Sequence, residues 1–358
     1  MPEPKRILHV LGTLDAGGAE TRVMEIYRHI DKAKYPFDFA IHTSKHCFYT
    51  DEVLKLGGHI YSLPRFNGIN YFKYKKAWEK LLSENPLDVI HGHQTTTAFI
   101  YLKVAKKLGI KKRIAHARNA NKDSLIKKYL AKLARFYATD LLAVSKLAAI
   151  SEFGKKNTRT KVKIIPNSFN YKRYEFNEAK RLEVRQNLNI SEDTKVYLNV
   201  GRFHPQKNHM FLIRLFHQII LEQPHSRLIL IGSGPLESKI VKKIDNLGLS
   251  EKVHLMKPQS NIEDYYSASD CLLFPSKYEG LPGVVIEAQI NGLPCLISNE
   301  ISKELIISDR VTFLPLKPKK KYWFDFALRQ ERSKVNKLKL SSKFSHVVNV
   351  KIYLQKVY

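Results

Sequence analysis

Two carboxylates flank a turn in the segment YEGLPGVVIEA, residues 278–288. Glu279 opens the turn, and Glu287 follows eight residues later. A loop that leads into a helix carries unpaired backbone N–H groups, which bind phosphate oxygens or sugar hydroxyls. Carboxylates accept hydrogen bonds from hydroxyl groups. The segment therefore predicts a ligand with both phosphates and hydroxyls. The simpler interpretation is a turn, a helix start and a solvated glutamate.

A second segment, NVGRFHPQKNH at 199–209, supplies positive charge. Arg202 follows a predicted strand, and Lys207 comes five residues later in the loop before a helix. Two cations at the carboxyl end of a strand can clamp a diphosphate. We interpret Arg202 and Lys207 as such a clamp, and the alternative is a solvated loop.

Two glycine-rich turns also follow predicted strands. GTLDAGGAETR at 12–22 places Gly17 and Gly18 before a helix, which is either a cradle for an anion or sugar or only a turn. LIGSGPL at 230–236 contains G-x-G without the full dinucleotide fingerprint, so NAD binding is poorly supported.

The elements that position these residues alternate between short strand-like runs and longer helical patterns. This alternation predicts βαβ units and parallel sheets that are covered by helices on both faces. Ligands of open α/β sheets bind at the carboxyl ends of the strands, so a cleft between two such domains is the expected site. The predicted strands are 6–12, 37–43, 59–63, 88–93, 113–118, 141–145 and 161–167, then 195–202, 226–234, 253–256, 271–276 and 294–298.

Composition is that of a globular protein. The chain has 358 residues, of which 44% are hydrophobic, and this length suits two domains. No apolar run reaches the roughly 20 residues of a transmembrane helix, and the N-terminus lacks a signal-peptide pattern. The three cysteines are far apart, so neither a disulfide framework nor a cysteine-rich metal site is expected. These features predict a cytoplasmic protein.

The net charge of +28 indicates an anionic partner: nucleic acid, a membrane surface or a phosphorylated ligand. Residues 101–135 hold twelve Lys or Arg and one acid. Within 124–138 the apolar residues fall on one side of a predicted helix, so it is either a surface helix with its apolar face in the core or an interfacial helix. The residues of this apolar stripe are Leu125, Tyr129, Leu130, Leu133 and Tyr137.

Together the motifs resemble the GT-B glycosyltransferases of the retaining family 4 type, closest to bacterial exopolysaccharide and capsule transferases. The resemblance spans nearly the whole chain. It implies an α/β GT-B fold, in which two Rossmann-like parallel-sheet domains face each other across a cleft. The segments that carry it are GGAE (17–20), IPN (165–167), VGRF with QKNH (200–209), GSGPL (232–236) and EGLPGVVIEAQINGLP (279–294).

The implied organisation has four parts. Residues 1–170 form an acceptor-side domain, and 171–194 are a polar linker with a short helix. Residues 195–341 form the domain that binds the nucleotide sugar, and 342–358 form a helix that crosses back to the first domain.

The resemblance also implies a role for each donor-site residue. Arg202 and Lys207 bind the diphosphate, Gly18 approaches the phosphate from the first domain, and Glu287 holds the ribose. Glu279 holds the donor sugar, either orienting it or also sharing in catalysis. The sugar is also held by the backbone of Gly280, Leu281, Pro282 and Gly283, and the base is bordered by Lys257 and Gln259. No metal or other cofactor is expected.

The segment IAHARNA departs from the pattern of many relatives, which place a histidine near the anomeric carbon, just after the fourth strand of the first domain. Either His116 or Arg118 occupies that position, and we favour His116. His93, Arg118 and Asn119 are expected on the acceptor side. His91 and His93 suggest a metal site, but no third ligand is evident in the sequence, so that interpretation is rejected.

The expected reaction moves a sugar from a UDP- or GDP-sugar to a lipid-diphosphate-linked saccharide, with retention, at the inner face of the cell membrane. His116, Glu279, Arg202 and Lys207 are the predicted catalytic residues. The rival interpretations are a basic nucleic-acid-binding protein, another GT-B-like enzyme such as an epimerase or synthase, and a non-catalytic partner subunit. No helix-turn-helix, zinc-finger or RNP motif is present, so no nucleic-acid partner is expected.

Overall fold

The computed structural model describes residues 5–120, 125–167, 169–317, 320–332 and 350–358. The chain divides into two compact units. One consists of Met1–Ser168 with Val348–Tyr358, and the other of Phe169–Val347.

The first unit is built on a seven-stranded sheet in the order β3-β2-β1-β4-β5-β6-β7, and every neighbouring pair is parallel. The order reverses between β1 and β4, which is the switch point where ligands of such sheets bind. The strands are β1 (Ile7–Val10), β2 (Phe37–Ile41), β3 (Ile60–Ser62), β4 (Val89–Gly92), β5 (Lys112–Ala117), β6 (Asp140–Ala143) and β7 (Val162–Ile164).

The helices between these strands cover the sheet. Strands β1, β2 and β4 are buried at every residue, as expected for a parallel sheet with helices on both faces. The helices are α1 (Gly18–His29), α2 (Thr50–Lys55), α3 (Tyr71–Glu84), α4 (Thr95–Lys107), α5 (Leu125–Leu133), α6 (Lys146–Phe153) and α7 (Lys155–Thr160).

Helix α5 buries the predicted apolar stripe only in part, because Leu130 and Leu133 are half-buried. Leu125 is 83% exposed and Tyr129 is 63% exposed, and the adjacent Ile126 is 72% exposed. The small side chains of Ala131 in α5 and of Ala134, which follows the helix, are fully buried. The interpretation of this segment as a helix with its apolar stripe in the core is therefore wrong for Leu125 and Tyr129.

The second unit contains a six-stranded parallel sheet in the order β10-β9-β8-β11-β12-β13. All the strands predicted in the two halves of the chain are confirmed, and β13 was not predicted. The strands are β8 (Lys195–Val200), β9 (Ser226–Ile231), β10 (Val253–Met256), β11 (Cys271–Phe274), β12 (Cys295–Ser298) and β13 (Val311–Leu314).

The segment 171–194 contains two helices of this unit. The second of them is held by charge, because Arg181 and Arg185 each donate to the Asp270 carboxylate over 2.7 Å. The helices of the unit are α8 (Tyr171–Tyr174), α9 (Glu178–Asn187), α10 (His209–Glu222), α11 (Glu237–Asp245), α12 (Ile262–Ala268), α13 (Gly283–Ile290) and α14 (Lys320–Arg329).

The last helix, α15 (Val350–Val357), belongs to the first unit. Its Tyr353, Leu354 and Val357 join the core cluster that α1 and β2 form. Residues 342–349 of the predicted closing segment lie outside the described residues. Within the described ranges, the helices are too short or too polar to cross a bilayer.

Candidate active site

The loops after β8 and β9 pack backbone against backbone in the second unit. A Cβ atom on Gly232 would lie 2.1 Å from the carbonyl oxygen of Gly201, so a side chain at Gly232 has no space. The β8 loop then reaches Asn208, whose φ of 61° is left-handed and whose Nδ2 donates to the carbonyl oxygen of Pro275 over 3.2 Å. These contacts fix Lys207 next to the loop that follows β11.

Lys207 and Glu279 form a salt bridge. The Lys207 Nζ lies 2.8 Å from Glu279 Oε1 and 4.6 Å from the centre of the Phe274 ring. The two side chains are only 16% and 10% exposed. The sequence predicted these two residues for different parts of a ligand, and the structure joins them. Arg202 is exposed and makes no salt bridge within the described part of the chain.

The β8 loop also holds the turn that contains Gly280, Leu281 and Pro282. Gln206 Nε2 donates to the carbonyl oxygen of Tyr278 over 2.8 Å, and the N–H of Lys277 donates to the carbonyl oxygen of Gln206 over 2.8 Å. Helix α13 begins at Gly283 after Pro282, with no side-chain cap at that position. The N-terminus of a helix attracts anions, so this turn has the backbone chemistry that phosphate binding needs.

Glu287 is buried on α13 and accepts a hydrogen bond of 2.6 Å from the hydroxyl group of Tyr266. Tyr266 lies on α12, and sequence reasoning missed it. The sequence shows Tyr266 only as an aromatic residue in a helical pattern, which does not indicate a role in the site. The hydrogen bond orients the carboxylate that the resemblance assigns to the ribose.

The remaining donor-site residues lie at other strand ends. Lys257 follows β10 and pairs with Glu237 at the start of α11, and Gln259 Nε2 donates to the carbonyl oxygen of Lys257 over 2.8 Å. Gly18 is the first residue of α1 in the first unit, and a Cβ atom there would meet no heavy atom within 4 Å.

The first unit brings four histidines together at the switch point of its sheet. His9 of β1 is in register with His91 of β4, His116 lies on β5, and His93 follows β4. His9 Nδ1 lies 3.0 Å from His93 Nε2, and His91 Nε2 lies 3.0 Å from His116 Nδ1. Burial lowers the pKa of His9 to about 3. It also lowers the pKa of the other three histidines well below the usual value, so all four imidazoles are neutral at neutral pH.

Two further residues contact this cluster. The hydroxyl group of Tyr358 lies 2.7 Å from His91 Nδ1 and 3.2 Å from His9 Nε2. Arg118 Nε donates to His93 Nδ1 over 3.1 Å, and its Nη1 donates to Asn167 Oδ1 over 2.9 Å. Three buried polar atoms near the end of β5 have no hydrogen-bond partner among the described residues: His116 Nε2, Arg118 Nη2 and Asn119 Oδ1.

His9 is the third histidine that the sequence did not reveal beside His91 and His93. One ring nitrogen of each lies within 4.8 Å of the others, which is a spacing that could hold a metal ion. However, the Arg118 guanidinium always donates, so its bond to His93 Nδ1 leaves the imidazole proton on Nε2, the atom that faces His9. A metal ion would need the lone pair of that atom. The residues therefore do not fit a metal site.

Comparison with known proteins identifies the family. The description "Glycosyltransferase Family 4" matches residues 16–173, and "Glycosyl transferases group 1" matches residues 180–322. EpsF of Bacillus subtilis (strain 168), which is named as a glycosyltransferase, is 33% identical over 311 residues, or 84% of this chain and 81% of EpsF. The chain belongs to the family 4 glycosyltransferases.

Other relatives of this glycosyltransferase agree. The capsular polysaccharide biosynthesis glycosyltransferase CapH of Staphylococcus aureus is 25% identical over 82% of this chain and 81% of CapH. An Escherichia coli UDP-Gal:alpha-D-GlcNAc-diphosphoundecaprenol alpha-1,3-galactosyltransferase is 26% identical over 62% of this chain and 60% of that protein. The protein is thus a glycosyltransferase of polysaccharide biosynthesis.

The crystal structure of Anabaena HepE in complex with UDP-glucose matches the fold of this glycosyltransferase. Its TM-score is 0.75 at 18% identity, over 90% of this chain and 88% of HepE. The predicted GT-B fold of two parallel-sheet Rossmann-like domains is confirmed.

Proposed function

We propose that this glycosyltransferase takes its sugar from a UDP- or GDP-sugar and holds the donor mainly with its second unit. The observation that carries the proposal is the Lys207–Glu279 salt bridge beside the N-terminus of α13. A diphosphate needs cations and backbone N–H groups, and a sugar needs carboxylates, and this loop offers all three. HepE, which shares the fold, was crystallised with UDP-glucose.

Departure of the nucleoside diphosphate is the step that these residues would assist. The exposed Arg202, the lysine of the salt bridge and the positive end of α13 are suited to stabilise the negative charge that develops on the leaving group. Protein groups then replace a metal ion, and the glycosyl group is transferred with retention. His116, Arg118 and Asn119 of the first unit would bind sugar hydroxyls through their unpartnered atoms, and His93 would hold Arg118 in place.

The acceptor that we propose is a lipid-diphosphate-linked saccharide. The Escherichia coli relative is named for a diphosphoundecaprenol-linked acceptor, and the net charge of +28 favours an anionic surface. Leu125, Ile126 and Tyr129 project into solvent from α5, whose neighbouring segment is rich in Lys and Arg. We infer that α5 docks on the anionic inner face of the cell membrane.

A thermal-shift screen of the full chain against UDP, GDP, ADP and their sugar derivatives tests the donor assignment. We expect a UDP or GDP compound to raise the melting temperature, because a ligand that binds only the folded state stabilises it. If no nucleotide changes the melting temperature, the donor assignment is wrong. A shift with DNA in place of nucleotides would favour the nucleic-acid-binding alternative.

A further inference from the structure

Donor and acceptor can be assigned for each hydrogen bond around the four histidines of the first unit, and every bond donates in the same sense along the series. A guanidinium group has no acceptor atom, so Arg118 Nε must donate to His93 Nδ1. A neutral imidazole carries one proton, and in His93 that proton is therefore on Nε2. His93 Nε2–H then donates to His9 Nδ1 over 3.0 Å.

The same rule extends the direction to Tyr358. Because His9 accepts at Nδ1, its proton is on Nε2, and it donates to the hydroxyl oxygen of Tyr358 over 3.2 Å. The hydroxyl proton is then available for His91 Nδ1, and this contact is the shorter one at 2.7 Å. Lys112 Nζ donates to the main-chain oxygen of Tyr358 over 3.3 Å and helps to hold this residue.

The direction ends at His116. His91 accepts at Nδ1 and so donates from Nε2 to His116 Nδ1 over 3.0 Å. The remaining proton of His116 is thereby placed on Nε2, which is buried and has no partner among the described residues. Leaving a buried donor unpaired is costly, so this N–H group is suited to an oxygen atom of a ligand. We call the series Arg118, His93, His9, Tyr358, His91 and His116 the histidine chain.

We propose that Tyr358 is a positioning residue, whose hydroxyl group transmits the direction of the histidine chain and thereby holds His116 as a hydrogen-bond donor at Nε2. The oxygen that accepts this bond is a hydroxyl of the transferred or accepting sugar, and this part rests on the proposed function. Tyr358 itself touches no substrate in this scheme.

Removal of the Tyr358 hydroxyl group breaks the histidine chain between His9 and His91. In Tyr358→Phe, Arg118 still determines which ring nitrogen of His93 and of His9 carries the proton. His91 and His116 no longer receive a hydrogen bond that determines theirs. Each orientation of the His91–His116 hydrogen bond then leaves one donor and one acceptor unpaired, so the two orientations have comparable free energy. His116 Nε2 would present a proton in one orientation and a lone pair in the other.

The test combines two-bond ¹H–¹⁵N correlation spectra of histidine-labelled protein with steady-state kinetics. In the wild-type chain we expect His93, His9, His91 and His116 all to be Nε2–H tautomers, and a Nδ1–H tautomer at any of them would overturn the proposal. In Tyr358→Phe we expect a mixture at His116, with kcat lowered about tenfold and a little-changed KM for the donor. Single His→Gln variants assign the resonances.

Tyr171→Phe is the control. Tyr171 lies on α8 of the second unit and is buried, and its hydroxyl group has no hydrogen-bond partner among the described residues. The spectrum of His116 and kcat should both be unchanged in this variant. An unchanged tautomer in Tyr358→Phe, or an equal change in Tyr171→Phe, would overturn the proposal. The spectra need no substrate, so an enzyme inactive with every nucleotide sugar would contradict the proposed function alone. A Nδ1–H tautomer in the wild-type spectra would overturn the proposal even if Tyr358→Phe does not fold.

Discussion

Lys207 Nζ donates to Glu279 Oε1 over 2.8 Å across 72 residues of sequence. The partners come from the loops that follow β8 and β11, which are adjacent strands of the second sheet. An ammonium group has three protons, so one hydrogen bond to Glu279 leaves the others for phosphate oxygens. Lys207 can therefore bind a diphosphate while it keeps its hydrogen bond to Glu279, and the Glu279 carboxylate holds the lysine in position.

Lys207→Met should lower kcat/KM by about 10²- to 10³-fold, because a cation that stabilises the leaving group is lost. It should also lower the free energy of unfolding by about 3 kcal/mol, since the buried Glu279 loses its partner. Charge reversal in Lys207→Glu should abolish turnover. Urea denaturation and initial rates measure the two effects.

The double variant Lys207→Met with Glu279→Gln separates these effects. It should recover most of the lost stability and none of the lost activity. Lys180→Met is the control, because Lys180 forms an exposed pair with Glu183 in the same unit. Unchanged activity in Lys207→Met would remove this lysine from the diphosphate clamp.

Glu287→Gln should weaken binding of the nucleoside diphosphate about tenfold, because the carboxylate accepts stronger hydrogen bonds from hydroxyl groups than an amide does. Tyr266→Phe should weaken it less, about threefold, since it removes only the 2.6 Å bond that orients Glu287. Titration calorimetry measures both dissociation constants. Tyr265→Phe, at the neighbouring position of α12, should have the wild-type affinity. Equal affinities for all three variants and the wild type would contradict the ribose assignment.

The sequence predicted the parallel strands well, because buried runs such as ILHV and CLLF have a clear pattern. It missed β13, whose residues are mostly half-buried at the edge of the sheet, so its pattern is weak. It predicted only one short helix in 171–194. Helix α9 there depends on Arg181 and Arg185, which bind Asp270 far along the chain, and local sequence does not show that partner.

The single residues of the candidate site were predictable from the sequence, but the contacts between them were less so. Motif spacing singled out Lys207, Glu279 and Glu287, but the contact between Lys207 and Glu279 depends on β8 lying beside β11. The same holds for His9, which meets His93 because β1 lies beside β4. Strand order is a tertiary property, and alternation of strands and helices does not determine it.

Glu152 should make the stability of the protein depend on pH. Burial raises the pKa of this carboxyl group to about 7, and Thr95 Oγ1 donates to it over 2.8 Å. A raised pKa in the folded state favours the protonated form. The contribution of protonated Glu152 to the free energy of unfolding is therefore complete below the unfolded pKa near 4.5. It is lost as the pH rises through about 7.

The comparison with Glu152→Gln isolates this contribution. Between pH 5 and 7 the stability of the wild type should fall relative to that of the variant, by at most about 1.4 kcal/mol per pH unit. Above pH 8 the difference should be constant. Urea denaturation across this range measures it, and a difference independent of pH would show that Glu152 ionises normally.

Helix α5 should bring the protein to anionic membranes through side chains that the fold leaves uncovered. Replacing Leu125 and Ile126 by Glu removes apolar area and adds negative charge, so binding to anionic vesicles should fall about tenfold. Co-sedimentation with vesicles of anionic or zwitterionic lipid measures the bound fraction. Leu221→Glu is the control, because Leu221 is an exposed leucine of α10 in the second unit, and it should bind as the wild type does. Equal recovery of the wild type with the two kinds of vesicle would contradict docking on anionic lipid, and equal binding by the double variant would place the contact elsewhere than α5.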